Sequence, residues 1–500
     1  MTRRGSLVLC CALSLLSGCR VGPDYRAPAN PAGAEAPLVS FNPATQSTSE
    51  PPDDWWKLYN DAHLDALLRE AFAANTDLAA AEANFAAAAA LLSAAKAGRY
   101  PDTRATIGAT YGRDPATEEI LEFGGHQPET IWILDDLFEV SYEVDLFGRV
   151  RRSIEASAAG AQAQAAARDS LKVVVAAETA RAYAEICALG EQLSVARRSL
   201  DVVSREAEIT SKRHDDGANS EFDVVRAEGL VAQTRSAIPP LEGRRRAALF
   251  ELAALLGRTP AHAPTEVETC DRPPALSTLI PVGDGAALLK RRPDVRQAER
   301  LLAAATARIG VATADLYPRI SLSGFYGGVG LTSADLTNGS GLATGIGPSI
   351  SWTFPNQALP RARIRQAKAN AAAALAGFDS AVLTALKETE QSLAVYGSAL
   401  DYRQALIDAQ SYAHSAFNMA HEQFLAGSVS NLDLLTTEQV LVAADAAVAA
   451  SDSALIQDQI AVFKALGGGW RTGGALNSSP LARIAPSGRS SDGLSRRSPP

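Results

Sequence analysis

Two stretches of this 500-residue sequence repeat each other in order, and a tandem repeat limits the available folds more than any bulk property. Asn75-Thr76-Asp77-Leu78, Glu82 and Tyr100-Pro101 lie on Arg292-Pro293-Asp294-Val295, Glu299 and Tyr317-Pro318 at one offset of 217 residues. Gly217-Ala218-Asn219-Ser220-Glu221-Phe222-Asp223 and Glu228 lie on Gly427-Ser428-Val429-Ser430-Asn431-Leu432-Asp433 and Glu438 at an offset of 210. Leu255-Leu256-Gly257 lies on Ala465-Leu466-Gly467 at that same offset. The expected units are a first repeat over 62–257, a linker over 258–283, a second repeat over 284–467 and a disordered tail over 468–500 rich in Ser, Gly, Pro and Arg.

The start of the chain sets its compartment. Arg3 and Arg4 precede an apolar run from Leu7 to Leu16, then Leu16-Ser17-Gly18-Cys19. A basic segment, a short apolar stretch and small residues before a cut form a secretory signal, too short to span a bilayer. Leu-Ser-Gly-Cys has the form of a bacterial lipobox, which predicts removal of residues 1–18, acylation of Cys19 (palmitate among the chains) and a lipid-anchored leader over 19–61. Cys187, in an Ala-rich helix, and Cys270, in the linker, can pair only if the fold brings them together; a disulfide framework is not expected. Past the signal no run of 18 uncharged apolar residues exists. If the chain crosses a membrane, it does so as strands.

Each repeat reads as helix, two strands, long helix, helix. The first helix of each stops at Tyr-Pro, because a residue before proline avoids the α region. Ala105, Ile107, Ala109 and Tyr111 alternate with polar residues; so do Phe138, Val140, Tyr142, Val144 and Leu146, then Ile320 and Leu322, then Ile346, Ile350, Trp352 and Phe354. Period two over about ten residues suits a half-buried sheet or a membrane barrel, and the signal with the aromatics Tyr100, Tyr317 and Trp352 favours the barrel. Four strands do not close a barrel; two chains give about eight, which fill their own interior, and three give about twelve, which leave a lumen. Segments 112–130 and 327–345 are the expected external loops.

The helices after the strand pairs, from Arg149 to about Asp216 and from Arg361 to about Ala426, contain no proline. At 1.5 Å per residue each runs roughly 100 Å. The shorter helices, 77–98 with 220–257 and 294–315 with 430–467, sum to a similar length. Ile364, Ala367, Ala371, Ala374, Phe378, Ala381 and Ala385 follow a 3,4 spacing, the seam of a coiled coil or of an ordinary bundle. Its small residues suit close helix walls, and alanine makes up roughly a fifth of the chain.

Cys19-Arg-Val-Gly-Pro-Asp-Tyr25, Trp55-Trp56, Tyr59-Asn60-Asp61, Leu64 and Asp145-Leu-Phe-Gly-Arg149, together with the paired Gly-x-x-Ser turns, resemble the outer-membrane efflux lipoproteins of the TolC superfamily, NodT/OprM type. The resemblance runs from Cys19 to about Trp470. It implies a mainly α fold with a membrane β-barrel: four transmembrane strands per chain, a homotrimer with a 12-stranded barrel in outer-membrane lipid, and a helical coiled-coil tunnel across the periplasm. The implied function is the exit channel of a tripartite efflux pump, with a periplasmic adaptor and an inner-membrane pump, usually of the resistance-nodulation-division class, as partners. An outlet of type I protein secretion and a lipid-anchored scaffold without a pore are the alternatives.

By that likeness the turns Gly217–Ser220 and Gly427–Ser430 sit at the periplasmic tips where an adaptor docks, although capping alone explains Gly and Ser there. Asp433, and less so Asp223, are the gate candidates, since acidic rings near this end narrow such tunnels; a helix-start aspartate facing the dipole is the plainer reading. Thr436 stands where some relatives carry a second acid. Glu139, Glu143 and Asp145 share the polar face of the second strand and are the candidates for the barrel lumen. Arg149, Arg151, Arg361 and Arg363 fall where strand becomes helix, near the inner headgroups or simply solvated. Net charge −9 argues against nucleic acid as a partner. No His-Glu-x-x-His, Gly-x-Ser-x-Gly, Walker loop or zinc-type Cys cluster occurs, so neither an enzyme nor a cofactor is expected.

Overall fold

The computed structural model describes residues 20–113, 130–276 and 278–470. Cys19, most of the loop 112–130 and the tail from 471 lie outside the described residues. In chain order the main elements are α1 (Ala62–Ala74), α2 (Thr76–Ala97), β1 (Asp102–Gly112), β2 (Ile131–Val144), α3 (Arg149–Asp215), α4 (Glu221–Ser236) and α5 (Ile238–Leu255). They are followed by α6 (Gly285–Arg291), α7 (Pro293–Ala314), β3 (Arg319–Gly330), α8 (Ser333–Thr337), β4 (Leu342–Ser351), α9 (Ala358–Leu425) and α10 (Asn431–Ala465). The order helix, two strands, long helix, returning helices thus occurs twice.

The four strands form one antiparallel sheet in the order β1-β2-β3-β4, with β1 and β4 unpaired on their outer edges among the described residues. Its register lays Thr103, Val140, Gly324 and Ile346 in one row and Arg104, Glu139, Phe325 and Gly345 in the next. One face therefore carries Ile107, Trp132, Phe138, Tyr326, Ile346 and Ile350, all exposed large apolar side chains. The other carries Arg104, Glu139, Ser141, Glu143, Ser321, Ser323 and Ser349 beside the lone aromatic Phe325. Rings cluster at both ends of the apolar face. Tyr111 meets Trp132 at 5.1 Å, and at the helical end Phe147 stacks on Tyr317 at 4.5 Å and Trp352 on Phe354 at 4.6 Å. An apolar band bounded by two aromatic girdles is the pattern of a strand sheet in lipid. Between β3 and β4 the expected loop over 327–345 is shorter, because β3 continues to Gly330 and α8 fills the connection.

α3 spans 67 residues and α9 spans 68, about 100 Å each. The stretch read as one helix over 220–257 is two, α4 and α5. Pro239 and Pro240 bring no N–H groups, so the helical bonds are interrupted and a new first turn begins at Ile238. On the expected seam of α9, Ala367, Phe378 and Ala385 are buried and Ile364, Ala371, Ala374 and Ala381 half-buried; farther along, Val382, Thr389, Leu393 and Tyr396 are buried as well. Among the described residues three helices, Thr76–Ala97, Ala358–Leu425 and Asn431–Ala465, are long and apolar enough to cross a membrane, by length and composition only. Alanine supplies much of that hydropathy.

The main core lies midway along α3, around Val175–Cys187, where α1, α5 and the end of α10 converge. Trp55 is fully buried there and stacks on Phe463 at 4.7 Å. Cys187 and Cys270 are joined in a disulfide with a Cα–Cα distance of 4.8 Å: the fold brings together the two thiols whose pairing the sequence left open. The linker approaches because Gly190 has no side chain: a Cβ there would stand 2.2 Å from the Cys270 carbonyl oxygen. Arg245 then pins the strap by donating to the carbonyls of Ile186, Glu268 and Cys270. Residues 468–470, assigned to the tail, are docked instead: Trp470 Nε1 donates to the Arg291 carbonyl at 3.2 Å and its ring lies under Arg296.

Candidate functional site

The two Gly-x-x-Ser turns are built alike, because each must end one helix and start another within four residues. Gly217 (φ +77°) and Gly427 (φ +74°) take the left-handed conformation that closes α3 and α9. Ala218 N–H then donates to the Arg213 carbonyl, and Ser428 N–H to that of Gln423, each reaching five residues back. Ser220 and Ser430 start α4 and α10. Ser430 Oγ accepts from Asp433 N–H at 3.2 Å, while Asp433 Oδ2 accepts from the Ser430 hydroxyl at 2.6 Å and from its N–H at 3.2 Å. Ser220 and Asp223 repeat this box. The Ser220 hydroxyl, its largest influence, holds the Asp223 carboxyl below the ordinary value. Both aspartates thus have a local duty in their own helix starts through one carboxylate oxygen.

The turns lie side by side at one end of the molecule. Arg213, in the last turn of α3, donates to the Phe424 carbonyl at 3.0 Å and the Leu425 carbonyl at 3.4 Å, and its guanidinium lies 4.2 Å from the Phe424 ring. A cation at the carbonyl end of α9 is favoured by the helix dipole. Thr210 Oγ1 donates to Asn431 Oδ1 at 3.3 Å. Sequence reasoning missed Arg213, although the run Lys212-Arg213-His214 is a helix C-terminal signal.

The opposite end of α3 meets the sheet. Glu139 stays on the polar face at mid-strand, across from Arg104. Glu143 shares that face and is forked by Arg149. Asp145 departs from the expected lumen set: β2 ends at Val144, and the Asp145 carboxylate accepts from the backbone N–H of Val150 (2.9 Å) and Arg151 (3.0 Å). An acid over the free N–H groups of a 67-residue helix is a cap, so it is turned onto the helix rather than along the strand. Arg149 and Arg151 are occupied by Glu143 and Asp145, and Arg363 stands 3.8 Å from Asp315.

Arg152, beside them, carried no separate sequence signal and is 1% exposed. Its guanidinium donates to the carbonyls of Val21 (3.1 Å) and Gly22 (3.0 Å), to Asp24 (2.9 Å) and to Glu155 (2.9 Å). Arg20 also reaches Asp24 and Glu155, Val21 N–H donates to the Phe147 carbonyl, and Tyr25 donates to Glu299. The leader is therefore clamped at residues 20–25 to the strand–helix junction, one residue from Cys19.

The model of the outer membrane efflux protein family matches residues 67–258 and 286–468. The nodulation protein T of Rhizobium leguminosarum bv. viciae is 29% identical over 461 residues, covering 91% of this chain and 92% of that protein. The pyoverdine export outer membrane protein OpmQ of Pseudomonas aeruginosa is 29% identical over 483 residues, covering 92% and 97%. The solved outer-membrane channel OprN superposes with a TM-score of 0.81 at 33% identity, over 91% of this chain and all of that one. With the aromatic-bounded sheet on two 100 Å helices, these matches fix the identity: the chain belongs to the outer membrane efflux protein family.

Proposed function

We propose that three copies of this chain form the outer-membrane exit duct of a tripartite efflux pump, with Cys19 as its lipid anchor. The chain is a channel of the outer membrane with a periplasmic helical tunnel. One observation carries the proposal: a four-stranded sheet, apolar on one face and open on both edges, stands on helices of 67 and 68 residues. Three such sheets make a 12-stranded barrel wide enough for a lumen, lined at mid-height by Glu139 and, with Arg149, by Glu143. A small molecule then passes without chemistry in the duct, driven by the inner-membrane pump, of the resistance-nodulation-division class. The adaptor meets the rim formed by Gly217, Ser220, Gly427 and Ser430. Asp433, with Asp223 behind it, narrows the rim: three like charges around one axis repel one another.

Purified protein in a planar bilayer tests this. Discrete conductance from a trimer-sized particle is expected, rising at rest in Asp433→Ala. A monomeric hydrodynamic size with no conductance refutes the duct; an unchanged resting current in Asp433→Ala removes that residue from the gate.

A further inference from the structure

Roughly 12 Å from the tips, by helical rise, lies a group the duct does not use. Glu206 on α3, His421 on α9 and Glu438 on α10 face one interhelical space. Glu438 is fully buried and Glu206 is 5% exposed. Among the described residues, neither carboxylate oxygen of Glu438 nor Glu206 Oε2 has a hydrogen-bond partner. His421 Nδ1 stands 3.0 Å from Glu206 Oε1, without the alignment of a hydrogen bond. Toward the tip, the Asn431 amide oxygen accepts from Thr210.

Two ionised carboxylates in so dry a place need cations, and the nearby ones are engaged elsewhere. On α3, Arg213 is turned to the carbonyls of α9 and Lys212 to the exposed Glu208. On α4, Arg226 lies over the Phe222 ring, Asp223 is in its capping box and Glu228 is exposed. On α9, Glu422 is exposed; on α10, Asp445 is engaged by Gln410 and His414. That leaves His421 against Glu206, and among the described residues no cation opposite Glu438. Among the described residues no three His, Cys, Asp or Glu are placed to hold a metal ion. A proton satisfies the site directly, since a carboxylic acid donates where a carboxylate only accepts.

We infer that Glu206, Glu438 and His421 form a proton-controlled joint among α3, α9 and α10: a proton held by the carboxyl pair keeps the three helices closed near the tip, and its loss parts them. Burial first, and the charge on Glu206 second, push the Glu438 carboxyl up to about 8; burial also raises Glu206, with His421 opposing. The sign follows. Between the ordinary value of 4.5 and about 8 the closed joint binds a proton that separated helices do not. Its contribution is complete on the acid side and lost as pH rises through about 8. The joint spans both repeats and has no counterpart at the other helix crossing: at the offset of 210 its three positions become Ala416, Ser211 and Glu228, and Glu228 is exposed.

Hydrogen exchange on the full-length protein in detergent, corrected for intrinsic rates, tests the joint apart from the duct reading. Peptides over 200–215 and 431–442 should be about tenfold better protected at pH 5.5 than at pH 8.5. Glu438→Gln, neutral at every pH, should erase the difference, Glu206→Gln should shrink it, and Glu228→Gln should leave it intact. Protection independent of pH in the unaltered protein, or pH dependence surviving in Glu438→Gln, overturns the joint. Should Glu438→Gln not fold, Glu206→Gln against Glu228→Gln decides in its place. In bilayers, greater open probability at pH 8.5 supports the joint; pH-dependent exchange in a protein that never conducts supports it while refuting the duct.

Discussion

Replacing Arg152 by Met should release the leader from the strand–helix junction while leaving the helices folded. Met keeps most of the aliphatic stem, which packs where a Cβ on Gly310 would come within 2.7 Å of it. What disappears is a buried guanidinium with four acceptors. Removing one partner of a buried charged network costs about 3–5 kcal/mol. Here the figure belongs at the low end, because Asp24 and Glu155 face solvent in part and retain Arg20 at 2.6 and 2.7 Å. The carbonyls of Val21 and Gly22 lose a charged donor outright. About 3 kcal/mol is roughly two powers of ten in the equilibrium for leader opening. Hydrogen exchange at Val21, whose N–H bonds the Phe147 carbonyl, reads that opening, and limited proteolysis within 20–30 gives a second measure. Arg152→Lys should fall between, since an ammonium cannot span the same fork of acceptors. Unchanged exchange at Val21 in Arg152→Met would refute the clamp, and an equal loss of protection along α3 would show that the residue supports the bundle instead.

Two further outcomes complete the set. Ser430→Ala removes the acceptor for Asp433 N–H and should cost about 1 kcal/mol, seen as faster exchange in the first turn of α10 with the centre of α9 unaffected. Reducing the Cys187–Cys270 bond reopens a loop with a sequence separation of 83, worth about 4–5 kcal/mol by chain entropy, so the thermal midpoint should fall in reductant; an unchanged midpoint would mean that the Arg245 bonds alone hold the strap.

The strands and long helices were legible because their causes are local. Alternation exposes a two-faced strand, and an absence of proline permits a helix of 67 residues. The tips were legible for the same reason, since Gly and Ser act within four residues of themselves. Pro239–Pro240 was a local signal too, overlooked within a longer helical reading. Asp145 misled because strand parity continues past the last strand residue, whereas the free N–H groups of α3 decide where its carboxylate points. Other features could not be read from one stretch of chain. Glu206 and Glu438 each look like an ordinary helix-surface acid, and only packing brings them together with His421. Arg152 sits among the arginines of a single helical turn and is set apart from Arg149 and Arg151 only by the leader folded over it.

The unpaired edges of β1 and β4 carry a consequence for how the molecule is made. Along an open edge about every second residue aims its N–H and C=O away from the sheet, and each such group costs several kcal/mol in hydrocarbon. For strands of 11 and 10 residues that penalty reaches tens of kcal/mol, more than a lone sheet recovers by meeting lipid. A solitary copy is accordingly held at the water side of the bilayer, where the proposed anchor at Cys19 would tether it. Entry into the membrane then depends on the local concentration of tethered copies rather than on any property of one chain. Its rate should climb steeply with surface density, and a variant whose β4 edge is blocked should accumulate as a lipid-bound precursor that also stalls its unaltered neighbours.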